Sequence, residues 1–375
     1  VTDEKSSQTS EPAGTEAEAG AGTGPGLASS GRRRVRAVVQ GLGFLAGVAL
    51  MVWCVGLALE PGNRAQLARL RDAPAELVVA LLGLSALTIV LNGLIFWVVL
   101  RPVRRLRASG VVAVNALATF LAYLPFKLSM VSRVVVHNRR DGVPVVTIVA
   151  WMVVAACVLS NVVTPVAGIS AWRKGIDSVW LACVPVGIAL TTVTMIVLAR
   201  VGLRVVDAAR ARGGRVGGVV ERLIRLRDGL VMAARVRTVL GATGLRTVDV
   251  VVVSARFAVA AALLGVPLAW EDALLLGITF FFVGAASPFG EFGTREAATV
   301  GVAGLLGIDG AGPGAVDADA ANPIVLITLF VSGSESIVRV VGAGLAVIWL
   351  RPDRWVRARA GSLPPPTTGV SGPAV

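Results

Sequence analysis

The sequence predicts an all-α polytopic membrane protein with about six full transmembrane helices and two opposed re-entrant hairpins of broken helix, arranged as an inverted repeat. Three observations carry that prediction. The composition is 55% hydrophobic and only 16% charged, with a mean hydropathy of +0.77, far more apolar than a soluble domain. Apolar runs of about twenty residues or more recur along the chain. Two further apolar regions are interrupted by Pro, Gly and charged residues.

Residues 1–31 are Glu, Ala, Gly, Ser and Thr with almost no large apolar side chains, and 361–375 are rich in Pro. Both are expected to be disordered tails, since such segments cannot bury enough surface to offset their ordering entropy. A transmembrane domain is expected between them, over 32–360. Its first run, 37–59, follows RRRVR and extends about 34 Å as a helix, enough to cross a hydrocarbon core of about 30 Å. It is expected to be an uncleaved span, because the apolar part of a cleaved signal has about 7 to 15 residues. Further full spans are expected at 77–100, 145–165, 179–199, 248–268 and 323–350. The interrupted regions are 111–136, broken by LPFKLSMVSR, and 271–307, broken by SPFGEFGTRE. The halves of the second, 271–286 and 294–307, would be about 24 and 21 Å long, each too short to cross alone.

Loop charge decides how these regions lie, because cytoplasmic loops carry an excess of Lys and Arg. If both interrupted regions enter and leave on one side, the segments 32–36, 101–107, 137–142, 200–246 and 351–359 share a face and hold 25 Arg. The opposite face then holds five cations: Arg64, Arg69, Arg71, Arg173 and Lys174. A complete crossing at 111–136 would instead send the eleven Arg of 200–246 outside. The first hairpin therefore opens to the cytoplasm and the second outward, with both termini cytoplasmic and the chain in the cytoplasmic (inner) membrane. Span, hairpin and span over 77–165 are then mirrored over 248–350. Pro125, Phe126 and Arg133 in one hairpin are echoed by Pro288, Phe289 and Arg295 in the other. Inverted repeats whose broken helices meet near the midplane are a transporter plan, and irregular backbone at that depth is tolerated only where it lines a cavity or is buried in protein.

SPFGEFGTRE also resembles the Gly-Gly-x-Gly-x-Arg-Glu segment in the membrane domain of the lysylphosphatidylglycerol synthases and of related flippase-like integral membrane proteins, through Gly290, Gly293, Arg295 and Glu296. Glu291 stands where that family usually has a second Gly. The first hairpin is similar to the family's Pro-x-Arg-x-Gly-Glu-x-x-Arg segment through Pro125, Lys127 and Arg133, with Ser129 and Met130 in place of Gly and Glu. The resemblance implies a lipid-translocating, flippase-like domain. In the bifunctional synthases a soluble aminoacyl transferase follows this domain; with about 25 residues after the last span, the chain is expected to be the translocating part alone, a transporter more than an enzyme.

Charge inside the apolar regions points to the cargo. Lys127, Arg133, Arg256, Arg295 and Arg339 outnumber Glu291, Glu296 and Glu335 by two. Each such charge costs at least about 2.5 to 3.5 kcal/mol near the bilayer centre, so these residues should face a pathway or one another. Excess guanidinium suits a phosphate, which makes the expected ligand an anionic or modified phospholipid or a polyprenyl phosphate. The expected substrate-binding residues are Lys127, Arg133, Glu291, Arg295, Glu296, Glu335 and Arg339. Pro125, Pro288, Gly290 and Gly293 are expected to shape the loops. Glu335 and Arg339, four apart, are expected to pair within a helix. Arg256 is expected to reach toward the cytoplasmic edge, and the neighbours Arg295 and Glu296 to point different ways. Tyr123 and seven tryptophans, Trp151 among them, are expected as interfacial anchors.

Other functions find less support. Nucleic acid is not an expected partner, because the net charge of +13 punctuates apolar runs and forms no single patch. His137, the only histidine, sits in HNRRDG as an expected loop residue, so neither a Ser-His-Asp triad nor a His-based zinc site can be assembled. Cys54, Cys157 and Cys183 each lie in an apolar run and offer no metal site. No metal, cofactor or catalytic residue is expected. The alternatives are a membrane-embedded transferase acting on a lipid phosphate, with Glu291 or Glu296 as base, or a noncatalytic partner of a separate lipid synthase or glycosyltransferase. Finally, 200–246 carries eleven Arg with apolar residues at helical spacing, as in a basic amphipathic helix on an anionic leaflet.

Overall fold

The computed structural model describes residues 26–59, 73–124, 127–173, 175–211, 227–287, 291–308 and 323–351. Pro125, Pro288 and Gly290, the tails 1–25 and 361–375, and residues 212–226 of the basic segment lie outside the described residues. By their contacts, residues 1–39 form one unit and residues 40–375 a second, which holds both interrupted regions.

Among the described residues there are eleven helices and no strand. They are α1 (Gly26–Ala58), α2 (Ala75–Leu100), α3 (Ala108–Leu121), α4 (Leu128–Arg139), α5 (Val145–Arg173), α6 (Ser178–Ala211), α7 (Arg227–Ala234), α8 (Val236–Leu264), α9 (Trp270–Ala286), α10 (Thr294–Leu306) and α11 (Pro323–Leu350). Six, namely α1 from Gly41 onward, α2, α5, α6, α8 and α11, are long and apolar enough to cross a membrane, the number expected. The protein is a multi-pass membrane protein. Several spans differ in extent from the sequence expectation. Helix α5 continues past Pro165 to Arg173, α6 reaches Ala211, and α8 begins at Val236 and stops at Leu264. Hydropathy marks only the apolar middle of a helix, whereas the backbone keeps its internal hydrogen bonds into the polar flanks.

The two interrupted regions resolve into two pairs of short helices. Helices α3 and α4 have 14 and 12 residues, and α9 and α10 have 17 and 13. At 1.5 Å per residue none exceeds about 26 Å. Helices α2 and α8 pack along each other; α3 lies on α2 as α9 lies on α8, while α3 also packs on α11 and α9 on α5. Small residues permit this proximity: a Cβ on Gly93 would stand 2.8 Å from Val112 Cα, and one on Gly277 would stand 3.0 Å from Ser254 Cα.

Two apolar cores fix the ends of the bundle. One gathers Cys54 of α1, Leu81 of α2, Leu264 of α8, Leu276 of α9, Ala303 of α10 and Ile324 of α11. The other gathers Leu100 of α2, Val111 of α3, Val143, Trp151 of α5, Met232 of α7 and Ala242 of α8. The start of α3 and the turn leaving α4 therefore share one core, while the start of α9 and the end of α10 share the other.

Of the basic segment only the parts on either side of 212–226 are described, and the centre of its expected apolar stripe lies outside them. Its ends belong to α6 and α8, and between them α7 buries Gly229, Met232 and Ala233 while packing on α5 and α6. The apolar face of α7 is covered by protein, so it is not free to lie on a leaflet. Trp151 and His137 are corrections of the same kind. Both are 1% exposed, with their ring centroids 5.0 Å apart; Trp151 Nε1 donates to Phe96 O at 2.7 Å, and His137 lies within α4 and pairs with Asp141 at 2.7 Å. An anchor and a loop residue have become core because each polar ring nitrogen finds a partner inside.

Candidate functional site

The breaks in the two helix pairs meet. Glu291 N–H donates to Ala122 O at 3.2 Å, and the rings of Tyr123 and Phe292 approach edge to face at 6.1 Å. At this junction the chain needs a turn that only glycine makes easily: Gly293 has φ +78° ahead of α10, and a Cβ there would stand 1.7 Å from Gly47 O of α1. The special backbone expected at Gly293 is present, and Ser287 is extended, with ψ 124°.

Around this junction α8, α10, α11 and the loop at Glu291 converge on one charged network. Arg295 Nε donates to Glu296 Oε1 at 2.9 Å, its Nη1 to Glu335 Oε1 at 3.1 Å, and its Nη2 to Ser332 Oγ at 3.2 Å and Tyr123 Oη at 3.3 Å. Its guanidinium carbon lies 4.2 Å from the Phe280 ring centroid. Glu335 Oε2 accepts from Arg256 Nη2 at 2.6 Å, and the same nitrogen donates to Val331 O at 3.1 Å. Arg339 pairs with Glu335 across one helical turn, as expected, and also with Glu291, while donating to Thr119 O at 3.0 Å. Arg256, Arg295, Arg339, Glu296 and Glu335 are all buried, so each charge is acceptable only because the others face it.

Three expectations are corrected by this geometry. Arg256 does not reach for an edge; it is 1% exposed and held by Glu335. Arg295 and Glu296 are adjacent yet join side chains, because the long arginine bends back at the first turn of α10. Tyr123 is no interfacial anchor, since its hydroxyl shares hydrogen bonds with Ser336 and Arg295.

Beside the network lies a cavity of about 320 Å³, lined by residues of α2, α3, α4, α5, α8, α9, α10 and α11. Lys127, Arg133, Glu291, Arg295, Glu335 and Arg339 all contribute to its wall; Glu296 stands behind it. Arg133 Nη2 donates to Asn115 Oδ1 at 2.6 Å and its guanidinium carbon lies 4.4 Å from the Phe96 ring centroid, while Asn115 Nδ2 is fixed on Ile89 O at 2.9 Å. Lys127 is exposed and opens α4 in the left-handed region, φ +50°, an unusual conformation for a residue with a side chain.

Sequence reasoning missed one cluster on the same wall. Arg246 Nη1 donates to Asp249 Oδ2 at 2.6 Å and to Asn92 Oδ1 at 2.9 Å, with its guanidinium carbon 5.0 Å from the Phe281 ring centroid. By composition Arg246 closes a cation-rich loop, yet an acid three residues on, inside an apolar run, is the sign of a buried helical pair. The charge excess now has an address. Arg256, Arg295 and Arg339 face Glu291, Glu296 and Glu335, and Arg246 faces Asp249. Among the described residues, no ion pair joins Arg133 or Lys127 to a carboxylate.

Fold and site together define a polytopic α-helical membrane protein with a neutral ion network beside a cavity that retains uncompensated positive charge. The chain belongs to the family described as the lysylphosphatidylglycerol synthase TM region, whose model matches residues 44–316. That membership points to a lipid-related membrane protein. No curated protein and no solved structure matches the chain.

Proposed function

We propose that the protein translocates an anionic or modified phospholipid, or a polyprenyl-phosphate lipid, with the headgroup passing through the cavity between two re-entrant hairpins of an inverted repeat. The observation that carries this reading is Arg133: a guanidinium on the cavity wall, oriented by Asn115 and Phe96, with no carboxylate paired to it among the described residues. A phosphate could take the place a carboxylate would otherwise fill, and Lys127 adds a second positive charge at the rim. Arg295 is less suited to that task than the sequence suggests, because four of its five N–H donors are already engaged by protein. Its role in this proposal is to hold the two helix breaks together, with Glu296 and Glu335.

Two features of the packing support the inverted repeat. Helices α2, α3, α4 and α5 correspond in order to α8, α9, α10 and α11, and the packing of α3 on α2 and on α11 is matched by that of α9 on α8 and on α5. Each short pair also begins and ends in one apolar core, the two pairs in opposite cores. With the cation-rich loops taken as cytoplasmic, α3 and α4 open inward, α9 and α10 open outward, and both termini lie in the cytoplasm of a cell whose inner membrane holds the protein. A transferase is less well served: Glu291 is engaged by Arg339, and Glu296 Oε1 by Arg295 and Ser332.

The test is dithionite quenching of a fluorescent headgroup in proteoliposomes at matched protein density. Losing a charge-assisted hydrogen bond of about 1.5 to 3 kcal/mol predicts that Arg133→Gln slows quenching at least tenfold or so while folded yield is retained. Arg133→Lys should recover part of the rate. An unchanged rate in Arg133→Gln, beside an active wild type, would remove the proposal's central residue.

A further inference from the structure

A second cavity, of about 310 Å³, lies where α3 begins and α4 ends. Arg105 and Arg107 reach it from the short connection between α2 and α3, and Arg140 from the residue that caps α4. The opposing charge on its wall is Asp141, whose Oδ2 pairs with His137 at 2.7 Å and whose Oδ1 lies 3.8 Å from Arg140 Nε, so that one carboxylate faces three guanidinium groups. Among the described residues Arg140 Nη1 is buried without a hydrogen-bond partner, an uncommon state for so strong a donor. Gly110 lets that guanidinium close on α3: a Cβ there would stand 3.2 Å from Arg140 Nη2. Arg107 caps α3 with extended backbone and no side-chain hydrogen bond, so the positive end of a 14-residue helix adds to the three guanidinium groups.

Nothing in the translocation reading uses this cavity. We propose that Arg105, Arg107 and Arg140 form a separate phosphate-binding site, and that its ligand is the headgroup of an anionic phospholipid. Three guanidinium groups line one cavity against a single carboxylate, an excess of charge that suits a phosphate, which arginine can bind with two parallel hydrogen bonds. The position supplies a use, and this part alone rests on the translocation reading. Arg140 and Arg133 are seven residues apart on α4, hence on one face and about 10.5 Å apart along the axis. On α3, Gly110 lies against the Arg140 guanidinium and Asn115 bonds that of Arg133. In this proposal a headgroup held at the pocket lies at the cytoplasmic end of α3 and α4, one step from Arg133.

Binding of a short-chain fluorescent phosphatidic acid to the full-length purified protein tests the site, with phosphatidylcholine of equal chain length as the control lipid. Replacing all three residues, Arg105→Gln, Arg107→Gln and Arg140→Gln, should weaken phosphatidic acid binding at least tenfold. Replacing Arg101, Arg200 and Arg204 by Gln removes the same charge outside the pocket and should change binding less than about twofold. An equal loss in both triple variants would reduce the effect to diffuse surface charge and overturn the site, as would unchanged binding in the pocket variant. Where the pocket triple does not yield folded protein, Arg140→Lys keeps the charge and loses Nη1; several-fold weakening supports the site and none overturns it. Inorganic phosphate separates the two sources of the ligand. Failure to displace the lipid at equal concentration assigns the site to a headgroup, and full displacement overturns that assignment in favour of free phosphate. The two readings are separated by measurement: slower quenching in Arg133→Gln tests translocation, whereas a larger loss of phosphatidic acid binding in the pocket triple than in the Arg101, Arg200 and Arg204 triple tests this site, so either can fail alone.

Discussion

Arg295 and Glu335 stand 40 positions apart in the chain and meet at 3.1 Å, while the other oxygen of the same carboxylate accepts from Arg256 at 2.6 Å. One carboxylate thus joins the first turn of α10 to α8 and α11, and the network is neutral only while Glu335 is charged.

Glu335→Gln should therefore be among the most damaging single changes in the protein. Removing one partner of a buried ion cluster costs about 3 to 5 kcal/mol, because the remaining guanidinium groups stay buried without compensation. A fall in folded yield and in the thermal midpoint in detergent is expected, well beyond that of Arg133→Gln. Equal midpoints for the two variants would mean that the network adds nothing to the fold.

The Arg246 and Asp249 pair allows a cleaner separation of charge from packing. Asp249→Leu alone strands a buried guanidinium and should destabilise by about 3 to 5 kcal/mol, whereas the double change Arg246→Met and Asp249→Leu should regain most of that loss. Thermal unfolding of the two single variants and the double variant forms the cycle. No recovery in the double variant would show that the pair, and not merely its neutrality, supports α2 against α8.

At the turn before α10, Gly293→Val should impair folding far more than Ser287→Val. Valine at φ +78° costs on the order of 1 to 3 kcal/mol in backbone strain, and its Cβ would also collide with Gly47 O. Ser287 is already extended, a conformation that valine accepts. Membrane yield and monodispersity are the measurements, and similar values for the two variants would contradict the close approach of α1.

Topology can be read chemically once Cys54, Cys157 and Cys183 are replaced. A cysteine at Arg139, at the end of α4, should react with an impermeant thiol reagent only after permeabilisation, and one at Glu271, at the start of α9, should react from outside intact cells. Labelling of both positions from the same side would eliminate opposed hairpins.

What the sequence determined by itself was whatever depends on local composition. A run such as 323–350 is a span because no other structure satisfies its backbone in lipid, and its limits coincide with α11. Breaks at Pro and Gly likewise placed the boundary between α9 and α10 within a residue, because those residues act on their own backbone. Gly293, where φ is +78°, was marked as a loop-shaping residue for the same reason.

Partnership was decided only by the tertiary structure. In sequence Arg295 and Arg133 are both candidates for a ligand. In the fold Glu296, Glu335, Ser332 and Tyr123 occupy the donors of Arg295, while among the described residues Arg133 forms no ion pair with a carboxylate. Asp249 is hidden in the same way, because composition assigns its partner Arg246 to a loop. The physical reason is common to all three. A buried charge is defined by the groups within about 4 Å of it, and in a helical bundle those groups come from segments far apart along the chain, brought together by packing that local composition does not encode.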